Sequence, residues 1–338
     1  MTDRRGVAKH VARATAVLAG AAGIASGCGN AGADRVLTID ATGQVAGFVF
    51  FDQNGTLQFD EDADRRVPGV VVRLALAGGG TVVAQGTSDN EGLFRVTGVP
   101  VGNYVVLVDT ATVGDTAQVV RVDSMNLRLQ PEDSIGITVA IGFPNVMIVE
   151  ARALPAGDKI FVTGVALSPL GAFGDSTVHV RDASATIRAT RVGGVGVNTG
   201  DSARFLGRRN VRDGQPTLDD VIVFSLGVVG QPEAVQVTTA GAATAEGGPL
   251  DAALVRVTAA AILDTLRNQS GDYVMRADDG SGRPVEVIVD VNLGINLSGF
   301  VPGATIDATG VLVPTDQQVP LWGMKPRNNQ DLRVVASP

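Results

Sequence analysis

From about residue 40 to the C-terminus, apolar and polar residues alternate in short runs rich in Val, Ile and Thr, and clusters of Gly, Pro, Asp and Asn separate the runs. A period of two sends successive side chains to opposite faces of an extended chain, so the pattern predicts strands joined by turns. The clearest runs are Val70-Val71-Val72-Arg73-Leu74, Tyr104 to Val108, Ile135 to Ile141, Val221 to Phe224, Val285 to Val289 and Leu332 to Val335. Helical periodicity is convincing only near the N-terminus, so the remainder of the chain is predicted to be all-β.

The N-terminal segment has a different composition. Arg4, Arg5, Lys9 and Arg13 precede an uncharged stretch from Ala14 to Ile24, which ends in Ala25-Ser26-Gly27-Cys28, and Cys28 is the sole cysteine. A basic start, an apolar middle and small residues at the end mark an export leader. The arrangement resembles a bacterial lipoprotein signal. That resemblance implies removal of residues 1–27, lipidation of Cys28 as the membrane anchor, and a place at the outer membrane or cell surface. The same residues also allow an ordinary secretory peptide with an incidental cysteine. No later stretch approaches the roughly 20 apolar residues that a spanning helix needs, so membrane attachment is expected through lipid alone. Residues 28–42 would be a flexible tether.

Residues 43–143 form the first expected domain. Gly47-Phe48-Val49-Phe50-Phe51-Asp52, Val67-Pro68-Gly69-Val70, Thr87-Ser88-Asp89-Asn90-Glu91-Gly92 and Val99-Pro100-Val101-Gly102-Asn103-Tyr104 punctuate it. Asp-Asn-Glu-Gly and Pro-x-Gly-x-Tyr suit turns between strands. These motifs resemble the transthyretin-like β-sandwich of carboxypeptidase regulatory-like domains and of the B-type domains of serine-aspartate repeat surface proteins. Residues 146–228 and 230–338 read as two related halves. Each has a first strand, then a hairpin around an acidic turn (Asp182-Ala183-Ser184, then Asp278-Asp279-Gly280-Ser281-Gly282), then a strand bounded by glycines seven residues apart, Gly200 and Gly207, then Gly303 and Gly310. With Trp322, Lys325-Pro326-Arg327 and Asp331 near the end, the order resembles OB-fold domains appended to bacterial extracellular nucleases and surface proteins. The expected fold is therefore all-β: a transthyretin/Ig-like sandwich followed by two small OB-like barrels.

Composition narrows the chemistry. The 338-residue chain has a formal charge of −8, and residues 1–27 carry four basic residues against one acidic, so the exported part is more negative still. Such a chain is a poor generic partner for nucleic acid or anionic membrane. Of the two histidines, His10 lies in the leader, which leaves His179. One histidine and an acylated cysteine exclude a cysteine-histidine dyad, a histidine/cysteine zinc site and a disulfide. There is no Gly-x-Ser-x-Gly turn to serve His179, so no enzyme is expected. In the stretch from Asp52 to Asp64, oxygen-bearing residues Asp52, Asn54, Thr56 and Asp60 fall at alternating positions of a calcium loop, with Asp62 and Asp64 as further donors. Leu57 takes the position that wants glycine and Ala63 the position that wants glutamate, and the stretch reads equally as a solvated acidic loop. Calcium is the one cofactor considered. For the barrels, Arg204, Arg208 and Arg209 in the first and Trp322, Lys325 and Arg327 in the second are the candidate ligand-binding residues, because a stacking aromatic and positive charge are what an OB groove uses. The expected function is a non-catalytic surface lipoprotein acting as a binding or adhesion module for a surface protein or glycan. The alternative is an accessory protein that holds extracellular nucleic acid or glycan for a separate hydrolase.

Overall fold

A computed structural model describes residues 41–114, 117–194, 196–315 and 322–336. The expected leader, residues 1–27, and the expected lipidation site Cys28 lie outside the described residues.

Nine strands build the first module: β1 (Thr42–Asp52), β2 (Arg65–Arg66), β3 (Val71–Leu76), β4 (Val82–Thr87), β5 (Leu93–Pro100), β6 (Gly102–Val108), β7 (Gln118–Val122), β8 (Asn126–Leu129) and β9 (Ser134–Gly142). One sheet runs β5-β1-β9-β7, with β2 beside the far end of β1, and the other runs β4-β3-β6-β8. Strands β1 and β9 are parallel over nine residue pairs, Gln44↔Ser134 to Asp52↔Gly142, so the first and last strands of the module clamp each other. Val45, Val49, Val72, Leu74, Phe94, Val96, Val106, Val139 and Ile141 fill the space between the sheets. Tyr104 belongs to this core: its ring is buried, and its hydroxyl donates to the Pro100 carbonyl at 2.6 Å, which closes the Pro-x-Gly-x-Tyr turn from inside the sandwich.

Helix α1 (Ile148–Ala153) precedes five strands: β10 (Lys159–Ala166), β11 (Val178–Arg181), β12 (Thr186–Ala189), β13 (Asp201–Arg212) and β14 (Gln215–Val228). They close in the order β10-β11-β12-β14-β13, with β12 and β14 parallel and β13 pairing back to β10. The second barrel repeats this. After β15 (Val235–Gln236) and α2 (Thr239–Thr244) come β16 (Leu254–Arg267), β17 (Tyr273–Asp278), β18 (Val285–Val289), β19 (Thr305–Pro314), β20 (Trp322–Lys325) and β21 (Leu332–Ala336). The ring β16-β17-β18-β20-β19 closes through β16–β19, and its parallel pair is β18–β20. A five-stranded closed Greek-key barrel is the OB architecture. The two six-residue helices are additions to an all-β reading.

The paired glycines occupy the same place in each barrel. Gly200 and Gly303 have φ of 88° and 87°, and each amide donates at 2.9 Å to the barrel's first strand, to Ala166 at the end of β10 and to Ile262 within β16. A Cβ on Gly207 would lie 2.9 Å from Val221, and one on Gly310 2.6 Å from the Lys325 carbonyl, so both sites need glycine for the close approach of the last strand.

The acidic turns correspond as well. In the first barrel Asp182 accepts the Ile148 amide at 2.8 Å and Ser184 the Val149 amide at 3.1 Å, which caps α1. In the second, Asp279 accepts the Thr239 amide at 3.0 Å and Ser281 the Ala240 amide at 3.0 Å, which caps α2. The equivalent pair is therefore Asp-x-Ser in both copies. Asp182-Ala183-Ser184 preserves the working part of the Asp279-Gly280-Ser281 turn. Burial opposes charge on Asp182 and Asp279, but hydrogen bonds from the turn serines and from the helix amides outweigh it and hold both carboxyls below their usual range.

Candidate functional site

The stretch from Asp52 to Asp64 leaves the end of β1 and returns to β2, so the strand and its short partner bring the loop's two ends together. Asp52 is buried, and its carboxylate accepts the amides of Thr56 at 3.1 Å and Leu57 at 2.9 Å. Asn54 Oδ1 accepts the Thr56 amide and hydroxyl at 3.0 and 2.7 Å. Asp64 bridges the loop by accepting from Gln53 at 2.9 Å and Asp60 at 3.0 Å, and Asp60 accepts the Asp62 amide at 3.0 Å. Leu57 adopts φ of 62°, the left-handed conformation for which its position favours glycine. Burial, and after it the neighbouring Asp64 charge, push the Asp52 carboxyl up, against the backbone hydrogen bonds that lower it. The oxygen donors thus share one loop and suit a hard cation in kind, while their lone pairs engage loop amides. Among the described residues no group of three or more His, Cys, Asp or Glu side chains is arranged to hold a metal ion.

The six candidate ligand residues of the barrels do not line one groove. Arg204, on β13, points toward the sandwich, where a Cβ on Gly55 would be 3.2 Å from its Nη1 and 3.0 Å from the Phe161 ring. Arg208 is exposed and donates to the Gly157 carbonyl at 3.3 Å. Arg209 is buried, and its guanidinium donates to the Ala151 and Arg152 carbonyls at the end of α1, at 3.2 and 2.7 Å. The expectation of Arg209 as a ligand-binding residue is therefore corrected, because its guanidinium fastens the helix. Near it on β13, Arg212 pairs with buried Asp219 at 2.6 Å.

In the second barrel Trp322 is buried in the core. Lys325 pairs with Asp290 at 3.2 Å and lies 5.3 Å from the centre of the Phe173 ring. Arg327 holds Asp331 with two hydrogen bonds of 2.8 Å and donates to the Leu167 carbonyl of the first barrel at 2.9 Å. This junction could not be read from residue pattern alone. Leu167, Phe173, Leu254, Val274, Ile288, Val311 and Val313 pack there as one apolar cluster. Arg152 reaches across it to Asp251 at 3.1 Å, and Asp251 also takes hydrogen bonds from Thr186 and Gln215.

His179 is inside the first barrel's side of this junction. It is 1% exposed, pairs across the hairpin with Arg188 and makes an edge contact with Phe173 at 6.1 Å. Its Nδ1 meets Ser168 Oγ at 3.3 Å, and its buried Nε2 has no hydrogen-bond partner among the described residues. Burial, reinforced by Arg188 and Lys325, pushes its pKa down to about 3.

No protein-family model matches the chain, and no curated protein matches it in sequence. Solved structures to which the chain is similar include the minor pilin GBS52 of Streptococcus agalactiae, 18% identical over 30% of this chain with a TM-score of 0.23. This chain covers 44% of that pilin, less than half its length. The shaft pilin SpaA of Lactobacillus rhamnosus GG is 12% identical over 56% of this chain and all of its own, with a TM-score of 0.21. The HINa domain of Ifi202, solved with a 20-base-pair double-stranded DNA, is 11% identical over 54% of this chain and 98% of its own, with a TM-score of 0.28. The assignment of a sandwich and two OB-like barrels rests on the strand order itself.

Proposed function

We propose that this chain is an exported, lipid-anchored, non-catalytic binding or adhesion module in which a sandwich and two barrels act as one body. The observation that carries the reading is the way the barrels use their charged groups. Arg152, Arg209, Arg327 and Asp251 join α1, the first barrel and the second barrel, instead of facing a shared groove. Together with the apolar cluster at the junction, these bonds suit a spacer that holds its modules at a fixed setting. Calcium at the loop from Asp52 to Asp64 is part of the proposal. A divalent cation would relieve the repulsion between Asp52 and Asp64, and the oxygen donors are of the kind that calcium takes.

Anchoring is tested by Cys28→Ala with membrane fractionation. The parent is expected in the membrane pellet and the variant in the soluble fraction, because removing the acyl chains removes the apolar area that holds the chain to the bilayer. A variant that pellets as fully as the parent would sink the anchor and, with it, this placement of the molecule.

A further inference from the structure

Where the sandwich meets the first barrel there is a cleft of about 630 Å³. Its walls are mainly apolar: Ala117 from the sandwich, Phe143 and Pro144 from the connection, and Val146, Leu154 and Ile160 from the barrel side. Two cations enter it. Lys159 and Arg208 are directly opposite each other on β10 and β13, so like charges face one another across a ladder, an arrangement that costs stability unless something compensates. Several other arginines of the barrels do have carboxylate partners, whereas Arg181, Arg209 and Arg267 donate to backbone carbonyls. Arg188 pairs with Asp213, Arg212 with Asp219 and Arg276 with Asp264. Among the described residues no carboxylate lies within 4.0 Å of Lys159 or Arg208, although Asp158 also lines the cleft. The Lys159 ammonium rests instead over the Phe143 ring, 4.5 Å from its centre, and Arg208 donates to the Gly157 carbonyl. Burial and the Arg208 charge both push the Lys159 pKa down, the expected effect of an uncompensated cation pair.

We propose that this cleft binds an organic carboxylate with an apolar body, its carboxylate between Lys159 and Arg208 and its body against Phe143, Pro144, Val146 and Leu154. The volume and the composition of the walls are those of small-molecule sites, which tend to lie at the seams between domains. The Arg208 guanidinium can meet a carboxylate with two parallel N–H donors, and the Lys159 ammonium adds a second charge. A wholly polar anion such as phosphate would leave the apolar walls unused, which is why a carboxylate carried on an apolar body fits better.

The full chain would be titrated by calorimetry with 2-naphthoate and, separately, with the uncharged 2-naphthalenemethanol. One saturable site for naphthoate is expected, with at least tenfold weaker binding of the alcohol. Arg208→Gln should weaken naphthoate binding at least tenfold. Gln118→Trp, which adds a large ring at an exposed position on the cleft wall, should abolish it. Both positions are exposed, so neither variant should lower the parent's melting temperature, Arg208→Gln should if anything raise it by removing the like-charge pair, and Arg333→Gln on β21 should leave binding unchanged. No saturable binding up to 10 mM would overturn the proposal. So would equal binding of the two probes, or unchanged naphthoate binding in folded Arg208→Gln and Gln118→Trp.

Discussion

Replacing His179 with leucine should remove a specific part of the chain's acid sensitivity. Above about pH 6.5 neither the folded nor the unfolded chain protonates this residue. Below that value the unfolded chain takes up a proton, whereas the folded chain, with a pKa of about 3, does not. Stability therefore falls with pH, by about 1.36 kcal/mol per unit, between the unfolded and folded values. At pH 5 the loss relative to pH 8 comes to about 2 kcal/mol. Carboxylates add their own slopes. Asp52, Asp251 and Glu286 are pushed up, mainly by burial, and contribute with the opposite sign as pH falls toward their unfolded values, whereas the lowered Asp182, Asp279 and Asp290 lose their contribution only as pH falls below about 4. These terms are common to parent and variant, so the difference between the two chains isolates His179. The assay is denaturant unfolding followed by the fluorescence of Trp322, the sole tryptophan, at half-unit steps from pH 8 to 5. At pH 8 leucine should be tolerated within about 1 kcal/mol, since it gives up the Ser168 contact but also removes the unpartnered Nε2. Parent and variant stabilities that run parallel within about 0.5 kcal/mol across this range would refute the reasoning, because the folded state would then be accommodating the proton.

Arg327→Met should destabilise the fold by about 3–5 kcal/mol, because it leaves buried Asp331 without its counter-charge and the Leu167 carbonyl without its donor; thermal unfolding followed by Trp322 fluorescence measures this. Calcium should raise the melting temperature of the full chain with an affinity of about 10⁻⁴–10⁻³ M, and Asp64→Asn should weaken that effect; an unchanged melting temperature at 10 mM calcium would remove the metal from the account. Single-stranded DNA should not bind at physiological salt in an anisotropy titration, since Arg208 faces a cleft and Trp322 a core. Micromolar binding lost on Arg208→Ala would revive the accessory-protein reading.

The strand content was legible because a half-buried strand writes its two faces directly into the sequence, as β8 and the first half of β5 show. Other features were not. Helices α1 and α2 are six residues each, under two turns, too short for a 3.6-residue period to stand out from alternation. Strand β13 runs on to Arg212, past the expected Gly207, because its charged residues have partners inside the fold: Arg209 meets helix carbonyls and Arg212 meets Asp219. Sequence records charge but not its pairing, so buried and solvated arginines looked alike. The acidic loop was legible as a set of oxygen donors at alternating positions. Its internal hydrogen bonding was not, because each bond depends on the turn the backbone takes after β1. The cleft went unread since its two cations, Lys159 and Arg208, lie 49 positions apart and only strand pairing brings them together.

The Asp-x-Ser turn has a consequence for how such a chain can grow. In each barrel the helix comes before the first strand, yet its cap comes from the turn between the second and third strands, so neither piece is complete without the other. What can be copied intact is helix plus barrel. A duplicated segment that began at the first strand would arrive without a helix to cap, whereas one that began ahead of the helix would bring its own fastener. Two copies already stand in tandem, and lengthening the array would require no new part beyond another seam like the one around Leu167 and Phe173.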